Sequence, residues 1–188
     1  MATTLSNLIH RTHSNAISCD KHFCISTDKN SGTYNRILFN TPASNILTNE
    51  VNSIGQFVHF KISNSDLEII NKEGLEIHHI VEYIRDLSSK NFSYEGCRLY
   101  VYIIGNTALF IVKRITDYLF TQVFNFVTAE DLLYYCQACF HTLKLDKSTD
   151  QIILFGEIAE DSRIVRLMSI YYSNILTDTS VPISSLSK

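Results

Sequence analysis

Residues 98–126 read RLYVYIIGNTALFIVKRITDYLFTQVFNF, and this stretch decides the fold. It holds three apolar runs with strand-like alternation, separated by short turns. In the first run, Leu99 to Ile104, apolar side chains point to both faces, so we expect a strand in the middle of a sheet. Gly105-Asn106 is a tight-turn dipeptide leading into the second run, Ala108 to Lys113, and the third run extends from Thr116 to Phe126. The stretch therefore predicts a three-stranded antiparallel meander.

Helix and strand signals alternate after the meander. Thr128 is a predicted helix cap with Asp131 as its capping-box partner, and this helix should end near Leu145. A short apolar strand follows at Gln151 to Phe155, and residues 156–162 open a last helix that reaches Tyr171. Beyond Asn174 the Ser/Thr-rich chain is expected to fray. The order is βββαβα, which is the ribonuclease H-like unit.

The first half of the chain predicts a shorter copy of the same order. Its predicted strands are a weak one around Ser6 to Thr12, a hairpin of His22 to Thr27 and Tyr34 to Phe39, and a strand from Gln56 to Ile62. Its predicted helices run from Thr41-Pro42 to about Ser53 and from a cap at Ser63 or Asn64 to Gly74. A linking helix is predicted over Ile80 to Leu87. We therefore predict an α/β protein with mixed sheets, in which a ribonuclease H-like unit is duplicated. Its lobes would span residues 1–90, abbreviated, and 91–176, with a flexible tail over 177–188.

Two segments resemble a known family. They are FVTAEDLLYY at residues 126–135 and LFGEIAEDS at residues 154–162. Both are similar to segments of a bacterial domain-of-unknown-function family with an actin-like ATPase fold, and the resemblance extends from about Gln56 onward. It implies the duplicated architecture shared by actin, sugar kinases and Hsp70, in which a nucleotide lies between the lobes. No established activity comes with this family.

Composition excludes several classes of function. The chain has 188 residues, with Lys+Arg 16 against Asp+Glu 19, so a net charge of -3 offers no basic surface for nucleic acid. No run approaches the roughly 20 apolar residues of a membrane-spanning helix. The N-terminus lacks the apolar core of a signal peptide, and the five cysteines lie mostly inside apolar runs. We therefore expect a cytoplasmic protein that binds no nucleic acid and does not span a membrane.

The acidic residues that two-metal nucleases of this fold require are missing. Such enzymes hold their metals with carboxylates on the first strand, the following helix and the fourth strand. The first strand, Leu99 to Ile104, has no acid, and the fourth has only Asp150 at its entrance. Glu130 and Asp131 lie in the first turn of a helix, where they complement the helix dipole. A metal-dependent nuclease is therefore disfavoured.

Actin-like ATPases need an Asp-x-Gly type turn in each meander to wrap phosphates and hold magnesium. The corresponding turns here are residues 18–21 and residues 104–107, and the second has no carboxylate. If a nucleotide binds, the candidate cofactor-binding residues are Gly105, Asn106, Thr107 and Gly156, and the cofactor is ATP with magnesium. Hairpin geometry alone also explains the turn. Glu157, Glu160 and Asp161 would repel an anion there.

Cysteine and histidine patterns favour packing over chemistry. Cys136 and Cys139 lie in mid-helix on the apolar face, which does not suit a redox pair. A zinc site of Cys19, Cys24, His13 and His22 is a minor alternative. The neighbours His78 and His79 diverge on any regular element and cannot share one metal, so we expect satisfied surface or boundary histidines.

One aromatic cluster remains without an assigned role. Tyr118, Phe120, Phe124 and Phe126 are expected to share one face of the third strand, with Tyr134 and Tyr135 following on the helix. They are either core residues or a surface on which a partner docks. The leading hypothesis is a non-catalytic, actin-like protein that binds another protein or itself and uses no cofactor. The alternative is a divergent ATP-binding protein.

Overall fold

The computed structural model describes residues 8–11, 15–29, 38–89 and 94–178. They belong to two compact units, the first of which ends at Ser89.

The second unit is built on a five-stranded mixed sheet. Its elements are β7 (Cys97–Ile104), β8 (Thr107–Arg114), β9 (Asp117–Asn125), α3 (Ala129–Thr142), β10 (Gln151–Gly156), α4 (Arg163–Met168) and β11 (Ile175–Asp178). The strand order is β11-β10-β7-β8-β9. β7, β8 and β9 form an antiparallel meander, whereas β10 runs parallel to β7. This is the predicted βββαβα unit, with β7 in the middle of the sheet as expected.

Burial explains why these runs form strands. On β7, both Val101 on one face and Tyr102 on the other are fully buried. A strand in this position must be mostly apolar, as residues 99–104 are, because neither face meets water there. One face of the sheet packs against α3 and α4, and the core there includes Phe110, Leu132 and Phe140. The prediction that both faces are covered is confirmed.

Helix α3 begins where the sequence predicts. The Thr128 hydroxyl accepts the Asp131 N–H at 3.2 Å, and the Asp131 carboxylate accepts the Thr128 N–H at 2.9 Å. Two otherwise unpaired backbone donors are thereby satisfied, which fixes the first turn. The backbone N–H groups of Val127 and Thr128 also hold the pKa of Asp131 below its usual value.

The expectation that the chain frays after Asn174 is wrong for Ile175–Asp178. These residues form β11, which pairs in parallel with β10 and adds an edge strand to the sheet. Ile175 packs against the core, so burial of its side chain fixes the register. Residues 179–188 lie outside the described ranges.

The first unit contains two three-stranded sheets, ordered β1-β2-β6 and β3-β5-β4. Its elements are β1 (Leu8–Arg11), β2 (Asn15–Ser18), β3 (Phe23–Ser26), β4 (Ile46–Val51), β5 (Gln56–Lys61), α1 (Asn64–Glu73), β6 (Glu76–His79) and α2 (Ile80–Ser89). Five of the predicted elements are confirmed, namely β1, β3, β5, α1 and α2. Ser63 caps α1 by accepting the Asp66 N–H, and Gly74 ends it with a left-handed φ of 64°. Strands β2 and β6 were not predicted.

The helix predicted from Pro42 to Ser53 is wrong. Pro42 precedes a single 3₁₀ turn, and the chain then forms β4, which pairs antiparallel with β5. The buried Asn45 amide donates to the Ile62 carbonyl at 3.2 Å and ties the turn to the end of β5. Pairing with β5 therefore overrides a weak helix start.

The second strand of the predicted hairpin is not supported where it can be checked. Residues 34–37 lie outside the described ranges, while Leu38 and Phe39 form a helical turn. The partner of β3 is β5.

Candidate functional site

The structure brings the Gly105 turn and Gly156 to the same end of the second sheet. Gly105 and Asn106 connect β7 to β8, and Gly156 ends β10 directly opposite Ile103 in the parallel register. Two candidate glycines 51 positions apart in sequence therefore lie on neighbouring strands, because parallel strands end at the same edge. In actin-like ATPases a phosphate site would be built from such turns.

Gly156 is explained by close packing of two backbones. Its φ is +96°, and a Cβ at this position would lie 2.3 Å from the Ile103 carbonyl oxygen. Any side chain would therefore collide with the neighbouring strand while adopting an unfavourable backbone conformation. The fold requires this glycine whether or not a ligand binds.

The Gly105 turn donates a backbone N–H to a carboxylate of the same chain. Gly105 donates its backbone N–H to Oε2 of Glu157 at 2.7 Å. The Glu157 backbone N–H in turn donates to the Ile103 carbonyl at 2.8 Å. The side chain thus bridges the end of β10 to the turn after β7.

Sequence reasoning recognised Glu157 only as a charge that opposes anions. Its contact with Gly105 joins residues far apart in the chain and depends on the β7–β10 register. No local sequence pattern therefore predicts this contact. Glu160 and Asp161 follow on the same exposed loop. The loop that follows Gly156 is therefore acidic.

The other turn residues close the hairpin. The Asn106 carbonyl accepts the Phe126 N–H at 2.9 Å, and the Thr107 hydroxyl donates to the Asn125 side chain at 3.3 Å. Gly105 has a φ of +50°, which the turn requires and glycine adopts without strain. The Asn106 carbonyl and the Thr107 hydroxyl are therefore both hydrogen-bonded to residues at the end of β9.

Within the described residues, no group of three or more His, Cys, Asp or Glu side chains could hold a metal ion. Of the zinc candidates, His13 lies outside these residues and Cys19 is buried, which raises its thiol pKa to about 12. His22 lies 2.8 Å from the Asp20 carboxylate. The minor zinc hypothesis gains no support from this arrangement.

The two neighbouring histidines diverge as predicted, but one of them is a core residue. Nδ1 of His78 lies 3.0 Å from the Glu82 carboxylate, and this hydrogen bond raises the His78 pKa. His79 is fully buried, with its ring 5.0 Å from those of both Phe23 and Phe60. Burial lowers the His79 pKa to about 4, so the ring is neutral at pH 7.

The Cys136 and Cys139 side chains are both buried in the core of the second unit, as predicted. Burial raises the pKa of the Cys139 thiol to about 11 and that of Cys136 well above its usual value. A redox pair needs the opposite shift, because the thiolate is the reactive form.

The aromatic cluster lies on β9 and on the first half of α3. Phe124 stacks on Tyr135 with ring centres 4.3 Å apart, and Phe120 continues the stack at 6.3 Å. These three rings are half-buried against the core, whereas Tyr134 is 66% exposed. The cluster is therefore part core and part surface.

The expectation that Tyr118 shares a face with Phe120 is wrong. Val112 pairs with Phe120 and Lys113 with Tyr118, so Leu119 is an extra residue in the ladder. This β-bulge moves Tyr118 to the opposite face, where its ring lies 5.5 Å from the Lys113 ammonium.

The fold is that of the actin-like ATPases. A crystal structure from Bacteroides thetaiotaomicron VPI-5482, described as a protein with actin-like ATPase fold and unknown function, matches 86% of this chain with a TM-score of 0.71 and 12% identity. The chain spans 66% of that protein, slightly less than two thirds of its length. At this identity the match establishes the fold alone.

The chain belongs to the family described as protein of unknown function (DUF3822), whose profile matches residues 25–175. A weaker structural match is Pelota from Archaeoglobus fulgidus, at 11% identity over 70% of this chain and 37% of that one. Its TM-score of 0.31 is too low to support an argument. No curated protein matches the sequence. None of the helices within the described ranges combines the length and apolar character needed to cross a membrane.

Proposed function

We propose that this chain is a non-catalytic protein with an actin-like fold, and that it works by binding another protein or itself. The hydrogen bond from the Gly105 N–H to the Glu157 carboxylate carries the proposal. If the Gly105 turn were a phosphate loop, a phosphate oxygen would need its N–H. The Glu157 carboxylate already accepts from this N–H, and its negative charge opposes a second anion.

The neighbouring residues support the same conclusion. β7 has no acidic residue to hold a magnesium ion, and the acids that follow Gly156 in the sequence are Glu157, Glu160 and Asp161 on one exposed loop. Protein binding is favoured by large apolar side chains that remain exposed in the second unit, such as Val127 and Tyr134.

ATP binding is the competing function, favoured by the approach of the Gly105 turn to Gly156. Thermal unfolding with and without Mg-ATP distinguishes ATP binding from the proposed function. A ligand at a hundred times its dissociation constant adds about 2.7 kcal/mol to the free energy of unfolding, so binding would be plain. We expect no shift for the wild-type chain, and a clear magnesium-dependent shift would overturn the proposal.

Glu157→Ala makes this experiment more specific, because it removes the acceptor of the Gly105 N–H. Glu160→Ala is the matched control, since it removes one charge from the same exposed loop without touching the turn. A shift with Mg-ATP in Glu157→Ala alone would identify Glu157 as the group that blocks the site. A shift in neither variant would mean that the turn lacks further phosphate ligands.

A further inference from the structure

The first unit contains a pocket between the edges of its two sheets. Among the described strands, β4 and β6 belong to separate sheets, and the Asn49 side chain links them. It donates to the Ile77 carbonyl at 2.9 Å and accepts the His79 N–H at 2.8 Å. An amide side chain therefore takes the place of a backbone ladder, and the two strands are separated by its length. Beside this link, β4, α1 and β6 enclose an open cavity of about 380 Å³.

The size and the walls of this pocket suit a small organic molecule. Sites for such ligands are typically clefts of about 300–1,000 Å³, mostly apolar, with a few polar groups that orient the ligand. Here Leu47 of β4, together with Leu67 and Ile70 of α1, supplies apolar surface. Glu76 and His78 also line the pocket, and their side chains share one face of β6 because they are two positions apart.

The charged groups at the pocket favour a cation. The Glu76 carboxylate lies 3.7 Å from Nε2 of His78, which is beyond hydrogen-bonding distance. Nδ1 of His78 instead lies 3.0 Å from the Glu82 carboxylate. The two carboxylates therefore leave a net negative charge whether or not the histidine ring is protonated. No Lys or Arg is among the described residues that line the pocket.

We propose that this pocket binds a small molecule with an apolar body and a primary ammonium group. The apolar body packs against Leu47, Leu67 and Ile70, and the ammonium pairs with the Glu76 carboxylate, whose side chain is 79% exposed. An anion is repelled by Glu76 and Glu82, and a neutral molecule gains only the apolar contacts. The pocket lies within the first unit and shares no residue with the Gly105 turn. The proposal therefore goes beyond the proposed function and does not rest on it.

Titration of the full chain with 2-phenylethylamine tests the proposal, with the methyl resonances of Leu47, Leu67 and Ile70 as the signal. The matched neutral probe is 2-phenylethanol, and the matched anion is 3-phenylpropanoate. We expect saturable shifts of these methyl groups with the amine. The amine should bind about 2–5 times more tightly than the alcohol, since an exposed ion pair adds no more than that. The anion should bind most weakly.

Glu76→Gln should abolish the preference for the amine over the alcohol while keeping the apolar contacts. Because the Glu76 side chain is mostly exposed, this change should leave the fold intact. Glu68→Gln is the matched control, because it removes the same charge from an exposed position of α1 that does not line the pocket. This control should keep the preference.

Three results would each overturn the proposal. They are the absence of saturable methyl shifts with the amine, equal affinities of the wild-type chain for the amine and the alcohol, and an unchanged preference in Glu76→Gln. None of them bears on the contact between Gly105 and Glu157, which the Mg-ATP experiment tests separately.

Discussion

Gly156→Ala tests whether the end of β10 is fixed by backbone packing. The φ of +96° is unfavourable for any residue with a Cβ, at about 1–2 kcal/mol. The added Cβ would also lie 2.3 Å from the Ile103 carbonyl, and relieving such overpacking costs about 1–3 kcal/mol more. Together these terms predict a loss of about 2–5 kcal/mol in the free energy of unfolding.

Gly105→Ala is the matched control because it shares only the first of these costs. Its φ is +50°, but a Cβ there meets no atom within 4 Å. Urea unfolding followed by circular dichroism should therefore show a smaller loss, of about 1–2 kcal/mol. Amide exchange of β7 would assign the effect to the second unit. Equal losses in both variants would refute the close approach of Gly156 to β7.

Three further predictions concern the cores of the two units. Phe140→Ala should cost about 3–5 kcal/mol in urea unfolding, since its side chain is only 2% exposed, and a loss below about 1 kcal/mol would contradict its burial. Cys136 and Cys139 should react with a thiol reagent only on unfolding, and Cys139→Ser should destabilise the chain; rapid labelling of the native protein would contradict this. Acid should open the first unit first. Because folding lowers the His79 pKa from 6.5 to about 4, the unfolded state binds the proton more tightly, and up to about 3 kcal/mol of stability is lost as the pH falls from 6.5 to 4. Amide exchange measured at both pH values would detect this opening of the first unit. The second unit has one described histidine, His141, which is exposed. Equal acid sensitivity of the two units would therefore contradict the prediction.

The neutral His79 ring explains the sign of the pH effect. Nε2 donates to the Asp20 carbonyl at 2.9 Å, while Nδ1 accepts the Val81 N–H at 3.3 Å. This pattern requires one protonated and one bare nitrogen. A second proton would turn the acceptor into a donor facing another donor, in a site walled by Phe23 and Phe60.

The second unit could be predicted from sequence because its signals are local and agree with one another. The alternation of Leu99 to Ile104, the turn at Gly105 and the Thr128 cap each specify one element without reference to the rest of the chain. The bulge at Leu119 could not be predicted, because an extra residue in a ladder becomes visible only against the partner strand. Tyr118 was therefore placed on the wrong face.

The first unit was predicted less well because its short strands are specified by distant partners. β4 reads ILTNEV and β6 reads EIHH, and neither pattern alternates clearly. They are linked by the Asn49 side chain, which donates to the Ile77 carbonyl at 2.9 Å and accepts the His79 N–H at 2.8 Å. A side chain that satisfies the backbone of another strand leaves no periodic signal in the sequence.

The Glu157 contact bears on whether the turn at Gly105 needs a ligand to be ordered. In a nucleotide-binding protein of this fold, a turn such as the one at Gly105 is completed by the phosphate it holds, so its order depends on the ligand. Here the chain supplies its own carboxylate, which links the end of β10 to the turn between β7 and β8. The order of β8, on which β9 is paired, then needs no ligand.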